Sequence, residues 1–536
     1  MAISARNGLR IGAVVVAGGV LLWGHLRHRP PPPAAAQSAP ASAASVARAS
    51  AAVRPAPPAT WKMGRLTFHA CELGQPNSGL TEAAWCTRFE VPEDRAHPHG
   101  RRIGLHVAIV RADAQVPAKD LLVFLAGGPG QAATQNAAAI EIMLKPLLVH
   151  RNLLLVDQRG TGGSNPLDCQ PPGNKDAGNA PAAADSSDDV ADPSVLKSAV
   201  LACLKQVETH ADPRFYTTTD AVQDLHDLRQ ALGSPPFDLI GVSYGTRVAQ
   251  QFLMRYPDAV RSVVLDGVVP NPLVLGEDFA RNLDDALKAQ FARCTADPVC
   301  KQHFGDPYQT LYQLRDALRA NPHMVSFRDP QSFQPVQRKL TEHALASVVR
   351  MFAYTAPTVA LLPLSIDAAA HGDVGPLLGQ AKLLSGDLSD SMTDGMQYSV
   401  ICSEDADLLT PRPQDADTIL GSQLIDSIKT ACSVWPHGAR PADFHQPLVS
   451  AKPILLMSGQ YDPVTPPRYG EQVLQGLSDA RHLVVPGQGH NVMAVGCMPT
   501  LVKHFVEDLD PRQLDASCLK RVEPTPIFID FNGGTP

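Results

Sequence analysis

Residues 237–249 read FDLIGVSYGTRVA, and this stretch decides the fold. Residues 237–240 predict a β-strand, the pentapeptide GVSYG at 241–245 follows without a gap, and residues 246–249 open a helix. A strand, a G-x-S-x-G turn and a helix in this order form a nucleophile elbow. The helix N-terminus favours negative charge that develops beside it. The stretch therefore predicts that Ser243 is a nucleophile, with a purely structural glycine-serine turn as the alternative.

A serine of ordinary pKa is a poor nucleophile and needs a base that an acid holds in place. After an elbow of this kind, the acid precedes the histidine along the chain. Asp462 and His490 each follow the C-terminal end of a predicted strand, the edge of the sheet where Ser243 also lies. We predict Asp462 as the acid and His490 as the base. Asp266, also at a strand end, is the alternative acid.

An oxyanion hole needs backbone N–H groups that point at the tetrahedral oxygen. The residue after the nucleophile, Tyr244, supplies the first. The turn AGGPG at 126–130 follows a predicted strand, and its glycines allow a close backbone approach. We predict Gly128 as the second donor, with Gly127 as the alternative. No Gly-Lys-Ser/Thr follows this turn, so it does not match a phosphate-binding loop.

Around the elbow, short apolar runs alternate with helical stretches such as 218–232 and 246–255. This alternation predicts an α/β fold, a doubly wound and mostly parallel sheet. Between residues 271 and 450 the pattern is mostly helical, which predicts a helical cap inserted over the C-terminal edge of the sheet. Residues 171–192 read as a mobile surface loop. The predicted strands are 66–70, 86–91, 105–109, 121–125, 152–156, 237–242, 262–265, 454–457 and 482–485.

The composition narrows the class of protein. The chain has 536 residues, 44% of them hydrophobic, and a net charge of −7. This excludes a wholly disordered chain and argues against a nucleic-acid binder, which would carry a basic stripe. Ten cysteines without C-x-x-C pairs predict disulfides in an oxidising compartment, with a reduced, buried set as the alternative.

The N-terminus agrees with export. Arg6 and Arg10 precede an uncharged apolar run at 11–24, shorter than the roughly 20 residues that span a bilayer. It predicts a signal peptide, with a short uncleaved membrane anchor as the alternative. The mature protein is then periplasmic or secreted. The predicted organisation is 1–29 leader or anchor, 30–60 Pro/Ala-rich linker, 61–270 first part of the core, 271–450 cap, and 451–536 second part of the core.

Five motifs together resemble one family: AGGPG at 126–130, DQRGTG at 157–162, GVSYG at 241–245, and the loops of Asp462 and His490. They are similar to the α/β-hydrolase peptidases of the proline iminopeptidase and tripeptidyl aminopeptidase group. The resemblance runs from about residue 61 to 518. Tyr244 stands where iminopeptidases typically have Trp, and together with the segment 432–518 it resembles the exported tripeptidyl aminopeptidase-like branch. Ala126 stands where iminopeptidases have His, so their proline specificity is not carried over.

The resemblance implies that acidic residues of the cap recognise a free substrate amine through a charge-assisted hydrogen bond. Glu404 and Asp405 are the candidates, and a solvated acidic turn is the alternative. Asp157 and Arg159 are carried over as structural turn residues beside the site. No metal or organic cofactor is implied.

Neighbouring cysteines along the chain suggest five disulfides that close short loops, and this pairing is one of many that ten cysteines allow. The predicted pairs are Cys71–Cys86, Cys169–Cys203, Cys294–Cys300, Cys402–Cys432 and Cys497–Cys518.

These features predict an exported serine exopeptidase that removes short N-terminal pieces from peptides with a free N-terminus. Two alternatives stay open: a carboxylesterase with the same three residues, since a fold does not choose a substrate, and a non-catalytic hydrolase fold that serves for binding.

Overall fold

A computed structural model describes residues 60–74, 79–169, 192–330, 332–382 and 392–534. The predicted leader, the linker except Thr60, and the predicted surface loop except Asp192 lie outside these ranges. Within them, no helix has the length and apolar character that a bilayer crossing requires.

A ten-stranded sheet organises the described chain, in the order β1-β2-β3-β4-β6-β5-β7-β8-β11-β12. Its strands are β1 (Thr60–Met63), β2 (Leu66–Leu73), β3 (Glu82–Pro92), β4 (Arg102–Val110), β5 (Leu121–Leu125), β6 (Asn152–Val156), β7 (Phe237–Val242), β8 (Val260–Asp266), β11 (Ile454–Gly459) and β12 (Ala480–Val485). Two further antiparallel pairs are β9 (His323–Arg328) with β10 (Pro335–Leu340), and β13 (Phe528–Asp530) with β14 (Gly533–Gly534).

The strands from β6 to β12 in the sheet order pair in parallel, and β1 to β4 add an antiparallel half. Strands β7 and β11, which each pair on both sides, are buried along their whole length, as expected for parallel strands covered on both faces. All nine predicted strands are present, and the predicted α/β sheet is confirmed. The C-terminal ends of β5, β7, β8, β11 and β12 meet at one edge, which brings the predicted site residues together.

Helices cover both faces of the sheet, and local signals set their ends. The helix at 218–232 begins at a capping box formed by Thr217 and Asp220 and ends at Gly233, whose φ is +59°. The helices are α1 (Ala137–Leu148), α2 (Pro193–Val207), α3 (Thr218–Leu232), α4 (Tyr244–Arg255), α5 (Phe279–Ala296), α6 (Pro298–Phe304), α7 (Pro307–Ala320), α8 (Glu342–Phe352), α9 (Ala356–Val359), α10 (Leu362–Ala370), α11 (Asp394–Glu404), α12 (Gln423–Cys432), α13 (Pro467–Leu474) and α14 (Met498–Asp508).

The segment between β8 and β11 contains two packing units. Helices α5, α7, α8 and α10 surround an apolar cluster of their own that includes Leu287, Phe291 and Leu345. In contrast, α11 and α12 pack into the main core, where Met396 and Val400 join the cluster that also contains Tyr244. The inserted segment, residues 267–453, therefore has one part with an apolar core of its own, to which the β9–β10 hairpin contributes Phe327 and Leu340, and a second part that belongs to the sheet's own core.

The C-terminal tail crosses back onto the inserted segment. Phe528 N–H donates to Ala360 O at 3.1 Å, and Arg293 donates to Thr525 O at 2.7 Å. Ile527, Phe528 and Ile529 pack against a small cluster around the cysteine pair of α5 and α6.

All ten cysteines form disulfides, and the pairs are the five predicted ones. Two of them lie near the candidate site. Cys402–Cys432 joins α11 to α12, and Cys497–Cys518 ties the start of α14, just beyond the His490 loop, to the C-terminal segment. Each removes conformational freedom from the unfolded chain.

Candidate active site

Ser243 occupies the turn between β7 and α4 with a φ of +54° and a ψ of −124°, a conformation that non-glycine residues seldom adopt. The two flanking glycines make this turn sterically feasible. A methyl group on Gly245 would lie 2.0 Å from the carbonyl oxygen of Leu125, and one on Gly241 would lie 2.5 Å from the carbonyl oxygen of Gly245. The Thr246 N–H donates to Ser243 O at 2.9 Å and starts the helix. The predicted strand-turn-helix arrangement around Ser243 is therefore present.

Asp462 and His490 contact each other directly. The distance from His490 Nδ1 to Asp462 Oδ2 is 2.7 Å, and both side chains are buried. Asp462 also accepts hydrogen bonds from the N–H groups of Val464 and Thr465, at 2.8 Å each. Burial raises the pKa of Asp462, but the positive charge and hydrogen bond of His490 and these two N–H groups outweigh it, so the pKa is lowered overall. The ionised carboxylate orients the imidazole with Nδ1–H as donor and Nε2 as acceptor.

A threonine not singled out by the sequence completes this contact. Thr465 Oγ1 donates to Asp462 Oδ2 at 2.8 Å and lies 3.1 Å from His490 Nδ1. The hydroxyl thus packs against both partners of the acid–base pair. Its position three residues after Asp462 is the local signal that a sequence reading could have used.

The turn at Asp266 and Gly267 lies between Ser243 and His490. Ser243 N–H donates to Asp266 O at 2.8 Å, and a methyl group on Gly267 would lie 2.9 Å from His490 Cε1. The Asp266 carboxylate accepts hydrogen bonds from backbone N–H groups beyond His490, whereas Asp462 holds the imidazole itself. This geometry favours Asp462 over Asp266 as the acid.

The predicted oxyanion turn lies beside Ser243. A methyl group on Gly127 would lie 3.2 Å from Ser243 Cβ and 3.0 Å from Gln131 Oε1, so Gly127 and the Gln131 side chain both border the nucleophile. Gly128 has a φ of +108°, which glycine adopts readily. Tyr244, at the start of α4, follows Ser243 directly. The assignment of Tyr244 and Gly128 as oxyanion donors stays a prediction.

Glu404 and Asp405, the predicted amine anchors, are both buried and engaged by core residues. Glu404 accepts hydrogen bonds from Thr218 N–H at 2.6 Å and from Thr218 Oγ1 at 2.9 Å. Asp405 forms an ion pair with Arg247 at 2.8 Å, and both side chains are fully buried. Burial, together with the charge of Asp405, raises the pKa of Glu404 to about 8. Their role in binding a substrate amine stays a prediction.

The inserted segment contacts the base directly. His490 N–H donates to the carbonyl oxygen of Tyr354 at 2.7 Å, and the two rings pack edge to face with centroids 5.4 Å apart. A methyl group on Gly489 would lie 2.3 Å from the same carbonyl oxygen. Tyr354 lies just after α8, and no motif predicts this backbone contact across more than 130 intervening residues.

A second serine-histidine-carboxylate chain lies one strand away. Ser458 Oγ is 2.9 Å from His482 Nε2, and His482 Nδ1 is 2.6 Å from Glu471 Oε1. Ser458 is fully buried within strand β11, in extended backbone rather than at a strand-to-helix elbow. Hydrogen-bond geometry alone therefore does not define a nucleophile.

The aspartate and the arginine of the DQRGTG motif both have structural contacts. Asp157 accepts hydrogen bonds from Thr134 N–H and Gly163 N–H, and the buried Arg159 pairs with Asp224 at 2.6 Å. Within the described ranges, no cluster of three or more His, Cys, Asp or Glu side chains has the geometry to hold a metal ion.

Together, the sheet, the elbow and the Asp462–His490 pair define a serine hydrolase of the α/β type. Residues 120–496 match the family model described as the alpha/beta hydrolase fold, and the chain belongs to this family.

The names of two matched relatives are consistent with the serine peptidase group. Serine protease Hip1 of Mycobacterium tuberculosis is 30% identical over 256 residues, which cover 45% of this chain and 47% of Hip1. Tripeptidyl aminopeptidase of Streptomyces lividans is 28% identical over 199 residues, 36% of each chain. The matched part spans about half of the length of Hip1 and 36% of the length of the tripeptidyl aminopeptidase. The solved structure of proline iminopeptidase from Mycobacterium smegmatis aligns over 79% of this chain and 98% of its own, at 15% identity and a TM-score of 0.34.

Proposed function

We propose that this protein is an exported serine exopeptidase that releases short N-terminal pieces from peptides through an acyl-enzyme on Ser243. The observation that carries the proposal is the 2.7 Å contact of His490 with Asp462, next to the turn that also binds the elbow backbone. An imidazole held by an ionised, buried carboxylate is the base that a serine of ordinary pKa requires.

In the proposed reaction, Ser243 Oγ attacks the scissile carbonyl while His490 Nε2 takes its proton. His490 then returns the proton to the leaving amine, and Asp462 stabilises the imidazolium in between. The N–H groups of Tyr244 and Gly128 hold the oxyanion. Water, activated by the same histidine, hydrolyses the acyl-enzyme and restores Ser243.

The substrate class rests on the relatives and on the covered site. Serine protease Hip1 and tripeptidyl aminopeptidase are named for peptide chemistry. The inserted segment contacts His490, which supports a cap over this edge of the sheet, and such a cap would suit a pocket that admits a chain end rather than a folded loop. We propose 271–450 as a cap between core parts 61–270 and 451–536, with Glu404 and Asp405 as candidates to recognise the free amine.

Export is supported by the five disulfides, which persist in oxidising compartments. We propose a periplasmic or secreted location, with residues 1–29 as a signal peptide or a membrane anchor.

Two assays test the proposal. A fluorophosphonate probe should label the wild type and the Ser458→Ala control but not Ser243→Ala, because Ser458 is fully buried. Mono-, di- and tripeptidyl anilides, each with a free or a blocked amine, should then show cleavage that depends on the free amine. Efficient cleavage of acyl nitrophenyl esters with no cleavage of any anilide would instead identify a carboxylesterase. Absence of labelling in the wild type would indicate a non-catalytic protein.

A further inference from the structure

Asp266 is a buried carboxylate that the proposed reaction does not use. It is the last residue of β8, only 1% exposed, and its position places it between the nucleophile and the base. Its carbonyl oxygen accepts the Ser243 N–H at 2.8 Å, so its backbone is bound to the elbow.

Its side chain points the other way, into the loop that follows His490. The carboxylate accepts the Val492 N–H at 2.9 and 3.0 Å, on its two oxygens, and the Met493 N–H at 2.9 Å. Asn491 has a φ of +65°, and this left-handed residue turns the chain between His490 and the two donors. Asp266 therefore binds the nucleophile turn with its backbone carbonyl and the histidine loop with its side chain.

We propose that Asp266 is a positioning residue that sets the distance between Ser243 and His490, and this inference rests on the proposed function. The two N–H groups belong to a loop with no regular secondary structure at 490–493, 226 residues further along the chain. Misplacing a reacting group by about 1 Å costs on the order of 10²-fold in rate. An isosteric asparagine with its oxygen in place of Oδ2 could still accept both N–H groups, but its NH₂ group would then face the Val492 N–H, which now also contacts Oδ1 at 2.9 Å.

The electrostatic surroundings make the hydrogen bonds of the Asp266 carboxylate sensitive to pH. The pKa of Asp266 is raised to about 6, chiefly by burial and also by the charge of Asp462. The two backbone N–H groups and His490 act in the opposite direction and lower it. When Asp266 takes up a proton, one oxygen becomes a donor and faces the N–H groups. Activity on the acid side should then require two deprotonations, one of the base and one of Asp266.

The chain offers a matched control in Asp238. It is also a buried aspartate, with a pKa raised to about 7 by burial and by Asp120, but it lies at the opposite end of β7, where Arg261 and Ser262 bind it. Asp238→Asn removes a comparable buried carboxyl without touching the elbow or the histidine loop.

The experiment measures kcat and KM from pH 4.5 to 8 with the best unblocked anilide, alongside fluorophosphonate labelling. In the wild type and Asp238→Asn, log kcat/KM should fall about two units per pH unit at the acid end. In Asp266→Asn, the slope should drop to about one and kcat should fall about 10- to 100-fold with little change in KM.

A wild-type slope of one, or an Asp266→Asn variant with unchanged slope and kcat, would overturn the inference. If Asp266→Asn does not fold, the wild-type slope alone decides. A wild type that the probe does not label contradicts the proposed function itself, whereas a labelled wild type with an unaffected Asp266→Asn contradicts only the role of Asp266.

Discussion

Replacing Glu404 by glutamine tests what a fully buried carboxyl does at the end of α11. Glu404 is 1% exposed, and Thr218 donates to both of its carboxyl oxygens. Burial is the largest influence on its pKa and, with the charge of Asp405, raises it from an ordinary 4.5 to about 8 despite the Thr218 hydrogen bonds and Arg247. The folded protein therefore holds this proton at pH values where the unfolded chain has lost it.

The sign of the effect follows from that difference. Because the folded-state pKa of Glu404 is raised, its stabilising contribution is complete below about pH 4.5 and is lost as the pH rises to about 8. The free energy of unfolding should fall by about 1.4 kcal/mol per pH unit in this window from Glu404 alone. Since unfolding a body of this size carries an entropy of about 1 kcal/mol/K, Tm should fall by about 1–2 °C per pH unit.

The assay compares unfolding of the wild type and Glu404→Gln between pH 5 and pH 8. The glutamine cannot ionise, so its stability relative to the wild type should rise by about 4 kcal/mol across the range. Asp407→Asn is the control, because Asp407 is a nearby acidic residue whose pKa is lowered by Arg440. Parallel pH dependences for the wild type and Glu404→Gln would refute the reasoning.

The same variant tests the predicted amine contact. If Glu404 binds the substrate amine, Glu404→Gln should raise KM for unblocked anilides and leave the blocked ones unchanged. An altered pH dependence of stability with an unchanged KM would make Glu404 a purely structural residue, and the amine anchor would have to be sought elsewhere in the inserted segment.

Three further changes have defined outcomes. Arg247→Met leaves the Asp405 carboxylate buried without its partner and should lower the free energy of unfolding by about 3–5 kcal/mol in urea titrations, a loss that the added change Asp405→Leu should largely restore. Gly245→Ala places a methyl group 2.0 Å from a β5 carbonyl oxygen and should abolish probe labelling, whereas Gly379→Ala, which meets open space, should label normally. Asp462→Asn should lower kcat about 10⁴-fold by favouring the wrong tautomer of the base, and a loss below tenfold in steady-state assays would argue for another acid.

Three of the six parallel strands were predictable to the residue, and all three are almost completely buried. For β5, β6 and β7 the predicted and observed bounds coincide, since each is a short and mainly apolar run that stops where the motif loop begins. The hairpin of β9 and β10 escaped prediction for the opposite reason. Its two strands alternate exposed and half-buried positions and contain several charged side chains, so no apolar run marks them.

The candidate triad could be read from motifs because each member lies at the end of a strand within a recognisable loop. The contacts that organise the triad could not be read this way. Tyr354 reaches the His490 loop through its backbone carbonyl and Asp266 through its side-chain carboxylate, from segments 136 and 224 positions earlier in the chain. A backbone carbonyl has no signature in a sequence, and a buried aspartate at a strand end resembles an ordinary turn residue.

Asp266 and Asp462 are equally buried carboxylates with different roles in the proposed site. Asp462 faces an imidazole that becomes positively charged during the proposed reaction, and its pKa is lowered, so it is ionised whenever the base must be stabilised. Asp266 faces backbone N–H groups, which carry no net charge, and its pKa is raised to about 6. A carboxylate that stabilises a transient cation must keep its charge, whereas one that holds a loop needs only acceptors. The partner of each carboxylate, rather than its depth in the protein, therefore determines which is suited to be the acid of the proposed reaction.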